Sequence, residues 1–123
     1  MKRVTREWVR KAEQDYAAAL REAKALAHDL ACFLAQQSIE KYLKALLEEN
    51  SLAFPRTHDL RHLCNLALPV ASRVRPFLRR FRSLSDYAVR FRYPGAWATA
   101  SQSRRAIKIL RETRRLLRSC LGL

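Results

Sequence analysis

From Cys32 to Leu47 the chain runs without Gly or Pro, and apolar side chains return at intervals of three and four. Leu30, Phe33 and Leu34 lead to Ile39, Tyr42, Leu43, Leu46 and Leu47, the spacing of a buried helical face. The pattern predicts a helix opening near Asp29 and running to about Glu49, with Asn50-Ser51 as its stop. A polar step, Gln36-Gln37, interrupts the face and is followed one turn on by Glu40-Lys41. Either these groups form a solvated flank, or they find partners on another helix, another chain or a ligand. Upstream, Trp8, Ala12, Tyr16, Ala19, Leu20 and Ala23 form a second stripe, predicting a helix over 5–26 capped by Thr5, with Glu7 in its first turn. Its many alanines allow a neighbouring helix to come close. The short join predicts that the two helices lie antiparallel.

Downstream the elements are shorter. Pro55 breaks the chain, Thr57 is placed to cap a helix over about 59–67, and Pro69 follows its end. Val74, Phe77, Leu78, Phe81, Leu84, Ser85 and Ala88 share one face of a helix over about 73–89, whose first turn Pro76 moves later. Tyr93-Pro94-Gly95 ends it. The last helix, about 96–119, carries Trp97, Ala100, Ile107, Leu110, Leu117 and Leu121 in register. Arg104, Arg105, Lys108, Arg111, Arg115 and Arg118 lie on its other face. With 123 residues, two Gly and four Pro, this is an all-α, up-and-down bundle of four to five helices forming one domain over 1–123. Its length suffices to bury a core.

Charge divides the chain. Net charge is +14, with residues 1–50 holding 9 Lys and Arg against 8 Asp and Glu, and residues 51–123 holding 16 against 3. Nineteen of the 25 cations are Arg, the side chain suited to bidentate phosphate contacts and base stacking. The C-terminal half is therefore expected to attract RNA, a nucleotide or an acidic protein, unless it is only a solvated basic face. Cys32, Cys64 and Cys120 are odd in number and widely spaced, which suits reduced, packed thiols rather than a disulfide framework or a zinc site. No apolar run follows the basic start Met1–Arg6, so no signal peptide is visible, and no stretch approaches a membrane span. A cytoplasmic protein that does not meet membranes is expected.

Three stretches taken together carry a resemblance. Trp8-Val9-Arg10-Lys11-Ala12-Glu13-Gln14-Asp15, then Phe33 through Ala45 (FLAQQSIEKYLKA) with Thr57-His58-Asp59-Leu60, then Leu84 through Gly95 (LSDYAVRFRYPG) occur in order across nearly the whole chain. The set resembles the HEPN domain family, small helical bundles often paired with minimal nucleotidyltransferases. The resemblance implies a homodimer, and a binding or toxin-like subunit whose nucleotidyltransferase partner is encoded nearby. The sequence itself has no Gly-rich phosphate loop and no metal-ligand cluster, so no cofactor and no metal are expected.

Some members of that family are metal-independent ribonucleases, with Arg, four to six residues, then His near the start of the last long helix. The chemistry uses a base at the ribose 2′-OH and a cation on the phosphate. Here Arg21 and His28 have a permitted spacing, as do Arg56 and His62, but three His and 19 Arg in 123 residues predict between one and two such matches by chance. Neither pair lies where the motif belongs, and no His follows Arg90 and Arg92. The balance is against an enzyme; Arg56, His58 and His62 are the residues a catalytic reading would have to use. His58, beside Thr57 at a helix start, is expected to bond loop backbone or a nearby carboxylate. For binding a nucleotide or partner, Gln37, Lys41 and Lys44 on one strip of the second helix are expected to converge with Arg90, Arg92 and Tyr93. A plain RNA-binding module without chemistry is the remaining alternative.

Overall fold

Five α-helices and three short 3₁₀ turns make up the computed structural model, which describes residues 1–123 and has no strand. Helix α1 is Arg3–Lys24, α2 His28–Glu49, α3 Leu60–Ala67, α4 Leu78–Leu84 and α5 Ala100–Cys120. Lys2 meets Glu49 and Ala12 meets Ser38, so α1 and α2 are antiparallel. Asp29 meets Ala98 and Tyr42 meets Arg118, so α5 runs parallel to α2. Helix α2 is the axis. Thirteen of its 22 residues are buried, because α1, α3, α5 and the 3₁₀ turns pack around it. The Ser38 hydroxyl donates to the Ala12 carbonyl at 2.9 Å, a contact that only small side chains on both helices permit.

Helix starts differ from the expected ones for reasons of local bonding. Helix α1 opens at Arg3, without Thr5 as cap and without an acid in its first turn. The Lys2 backbone N–H donates to Glu49 at 3.0 Å, and its ammonium donates to the Glu48 carbonyl at 3.0 Å and to Ser51 at 2.5 Å. That anchorage lets the helix begin early, and Thr5 goes into the core instead. Helix α2 opens at His28; Asp29 is spent on the Ala98 N–H, at 2.5 Å. Asp59, not Thr57, caps α3, its carboxylate accepting from the backbone N–H groups of Arg61 and His62.

The expected single helix over 73–89 is in pieces. A 3₁₀ turn at Ser72–Phe77 contains Pro76, α4 follows, and further 3₁₀ turns occupy Ser85–Ala88 and Arg90–Arg92. Ser85 explains one break: its hydroxyl donates to the Phe81 carbonyl at 3.0 Å and accepts the Leu60 N–H at 3.1 Å, tying the end of α4 to the start of α3. Gly95 sits at φ +95, a conformation that glycine reaches without strain. Thr99 and Gln102 form a capping box that starts α5 later than expected, so Trp97 lies outside the helix and outside the core. The α5 face turned inward is Ser103, Ala106, Ile109, Leu110, Thr113 and Leu117.

Two non-glycine residues have left-handed backbones, Leu26 at φ 64 in the α1–α2 turn and Ser51 at φ 56 after α2. Such a conformation costs a leucine about 1 kcal/mol or more. Cys32 and Cys64 are buried free thiols and Cys120 is half-buried. Burial pushes the Cys32 thiol up to about 12, helped by the Asp29 charge, and that of Cys64 up to about 11. No helix is long and apolar enough to cross a membrane.

Candidate functional site

The polar step of α2 is satisfied from within the chain. Gln36 is fully buried, and its amide donates to the His58 carbonyl at 2.9 Å and to Glu40 at 3.3 Å, while its own carbonyl accepts from Gln37 at 2.6 Å. Glu40, one turn on, is 3 % exposed and accepts from Lys44 at 2.8 Å. His58 Nδ1 lies 2.7 Å from the same carboxylate. With Nδ1–H given to Glu40, the other ring nitrogen, Nε2, keeps its lone pair on the exposed side of the ring, as an acceptor or base. Residues 36, 40 and 44 thus form an i, i+4 ladder that holds the 52–59 loop against the axis helix. Lys44 also lies over the Trp8 ring, 5.6 Å from its centre, and Trp8 meets Phe54 of that loop edge-on.

His58 opens onto a cleft of about 370 Å³ shared with Asp59, Arg61, Arg82, Ser85 and Asp86. Two cations, two carboxylates and an imidazole face one hollow, and no ion pair joins them within 4.0 Å. The Nε of Arg61 is enclosed and has no hydrogen-bond partner. The arrangement can hold a small anion beside a base whose tautomer is set by a buried carboxylate.

The expected binding residues fall into two groups. Gln37, Lys41 and Lys44 are spoken for: Gln37 bonds Gln36, Lys41 pairs with Asp15 on α1, and Lys44 pairs with Glu40. Arg90, Arg92 and Tyr93 are exposed at the surface. Arg90 lies over Phe91, and Arg92 lies over Phe33, one turn before Gln37. No hydrogen bond or ion pair links these three to Lys41 or Lys44. Of the residues available to catalysis, Arg56 and His62 are exposed and only His58 has a carboxylate partner. Arg61, Arg82, Ser85 and Asp86 escaped the sequence reading because they come together only when α3 meets the end of α4. Glu40 did carry a signal, its four-residue spacing from Gln36 and Lys44.

A second charged cluster lies on the far part of the bundle. Glu13 accepts two bonds from Arg114, at 2.8 and 2.6 Å, one from Arg118 at 3.3 Å and one from the Tyr42 hydroxyl at 2.6 Å. The Arg114 bond holds the Glu13 carboxyl below its usual range against the opposing effect of burial, and the Tyr42 and Arg118 contacts add to it. Burial, and then the bond to Glu13, push Tyr42 up to about 12. Arg114 also covers the Tyr16 ring at 4.2 Å. Arg118, expected on the outward basic face, is instead half-buried in this cluster. Beside it, Arg111 and Arg115 join Arg114, Arg118 and Tyr16 around a hollow of about 370 Å³.

A model of the HEPN domain matches residues 5–120. An archaeal HEPN homologue of known crystal structure is similar at 27% identity, over 99% of this chain and 98% of that one, with a TM-score of 0.74. A Thermus thermophilus protein of known crystal structure shares the fold at 20% identity, with a TM-score of 0.77 over 94% of this chain and 97% of that one. No protein of curated function matches the chain.

Proposed function

Because the chain belongs to the HEPN domain family, we propose that it is the binding, toxin-like subunit of a two-component system whose other member is a minimal nucleotidyltransferase. The observation that carries this reading is the state of the cations. Of the 16 Lys and Arg after residue 50, only Arg80, Arg114 and Arg118 meet a carboxylate within 4.0 Å. Arg104, Lys108, Arg111 and Arg115 line one exposed stripe of α5, about 16 Å long at 1.5 Å per residue. Arg90 and Arg92, with Tyr93, are further exposed residues before α5. Lys41 and Lys44 are neutralised by Asp15 and Glu40. A field of unpaired arginines suits an acidic protein surface, and a nucleotide or RNA strand by the same chemistry. The homodimer and the single-domain organisation over 1–123 belong to the same proposal and rest on the family resemblance.

One observation favours a second reading, the metal-independent ribonuclease. His58, oriented by Glu40 next to Arg61 and Arg82, has the parts of a general base beside phosphate-binding cations.

The deciding experiment is an affinity pull-down of the tagged protein from its own cells, with mass spectrometry and nuclease treatment as control. The expected result is a stoichiometric small nucleotidyltransferase that survives nuclease and is lost when Arg104, Lys108, Arg111 and Arg115 are changed to Glu. Recovery of RNA without such a protein overturns the proposal. Cleavage of that RNA by the purified protein, abolished in His58→Gln, would then support the ribonuclease.

A further inference from the structure

An apolar patch at the open end of the bundle has no role in the fold. Leu26 is 73% exposed and Trp97 80% exposed, with Leu30 and Tyr93 also well exposed. The chain path gathers them. The Ala98 N–H bonds Asp29 at 2.5 Å, so Trp97 and Leu30 are each one residue from the same contact. Leu26 precedes Leu30 by four positions, and Arg92, which adjoins Tyr93, lies over Phe33, three positions after Leu30.

Two features resist a structural account. Leu26 holds a left-handed conformation that Gly or Asn would adopt with less strain, yet its side chain meets solvent rather than core. Trp97 lies between Gly95 and the capping box of α5, where a polar residue would serve the loop equally well. A strained backbone and an exposed large aromatic ring at one place point to a contact surface.

Charge chooses the occupant. Lys24 stands two residues before Leu26, Arg92 lies over Phe33, and Arg105 is exposed in the first turns of α5, just beyond the Trp97 loop. A second copy bringing the same end would set these cations face to face, which is repulsive. We propose that this patch docks an amphipathic helix of a partner protein, with a leucine-type apolar face flanked by Asp and Glu. The proposal rests on the partner-binding reading above and assigns that partner's anchoring segment to this end of the bundle rather than to the α5 stripe. Trp97 and Leu26 would be the anchors for that helix and the Arg and Lys rim would set its orientation.

The test uses the full chain labelled with fluorotryptophan, which separates Trp97 from the half-buried Trp8. The probe is a designed helical peptide of Leu and Glu with one apolar face, and its control is an isomer of the same composition with that face scrambled. The expected result is a saturable shift of the Trp97 fluorine resonance with Trp8 unmoved. Affinity should fall about tenfold or more in Trp97→Ser, in Leu26→Asn and with the scrambled isomer. Leu26→Asn should do so with its thermal midpoint unchanged or raised, because Asn tolerates the left-handed backbone. An unmoved Trp97 resonance, or binding by both variants as tight as by the unaltered protein, overturns the proposal. So does sedimentation showing a dimer that Trp97→Ser converts to monomer, which would give the patch to a second copy. A pull-down without a nucleotidyltransferase would sink the two-component reading and leave this result standing, so the two failures are distinguishable.

Discussion

Glu40→Gln is the sharpest probe of how α2 is held. The substitution keeps shape and volume but removes the charge opposite Lys44, whose ammonium lies 2.8 Å away in a residue only 8% exposed. Breaking a buried ion pair on one side costs about 3–5 kcal/mol, because the remaining charge stays desolvated. The new amide oxygen still accepts from Lys44, so the lower bound, about 3 kcal/mol, is the expected loss. For a chain of this size that lowers the thermal midpoint by roughly 10–15 °C. Replacing both partners, Glu40→Leu with Lys44→Met, removes the buried charges together. Gln36 keeps its bond to the His58 carbonyl but loses the acceptor of its second N–H, while the mostly exposed His58 ring can turn to water. The double variant is therefore expected within about 1–2 kcal/mol of the original protein. Urea titrations followed by circular dichroism on the two leucine and methionine single variants and the double give the coupling, expected at about 2 kcal/mol or more. A Glu40→Gln loss below about 0.5 kcal/mol, or a double variant as unstable as that single one, would refute the idea that charge pairing holds this step.

Three other outcomes follow from the same geometry. Glu13 titrates below its ordinary value of 4.5 in the folded chain, so the stability it contributes is present above that pH and lost as pH falls through the depressed value. The stability gap between the original protein and Glu13→Gln should therefore be flat near neutrality and close on acidification below 4.5. At pH 8 a thiol reagent should modify Cys120 alone in the folded protein and reach Cys32 and Cys64 only on unfolding; Cys120→Ser should abolish the fast reaction. Thr99→Ala removes the capping box of α5 and should cost about 1 kcal/mol in a urea titration without changing the helix content of the folded state.

Periodicity made the long helices legible because Trp8, Ala12, Ile39, Leu43 and Leu110 repeat on one side over several turns. It misread the register where burial is carried by small or hydroxyl residues. Ala31, Cys32, Ala35 and Ser38 on α2, and Ser103, Ala106 and Thr113 on α5, are buried without being conspicuously apolar. Trp97 failed in the other direction, large and apolar yet outside the core. The broken helix over 72–92 was hidden because the Ser85 hydroxyl acts across the fold, on Leu60, where no local pattern records it. The candidate site divides the same way. From the sequence Gln36-Gln37 is either a solvated flank or a step that needs partners, and His58 bonds either loop backbone or a carboxylate. That Glu40 bonds both Gln36 and His58 depends on the 52–59 loop folding back over α2. The sequence places Lys41 and Lys44 among the binding residues but does not show their partners: Asp15 lies 26 residues from Lys41, and the burial of Glu40, four from Lys44, is a property of the fold.

The position of α2 also sets which parts of the chain open first. Its middle, 35–47, is enclosed by α1, α3 and α5, so the amide hydrogens there are expected to exchange with solvent only when the whole bundle comes apart. Residues 72–92, built of one short helix and three 3₁₀ turns with many exposed side chains, can open while that axis stays intact. Hydrogen exchange is therefore expected to be slow in the interior and faster along this flank, which carries Arg82, Ser85, Asp86, Arg90 and Arg92. Whatever binds there can close that flank around itself without loosening the helix that holds the bundle together.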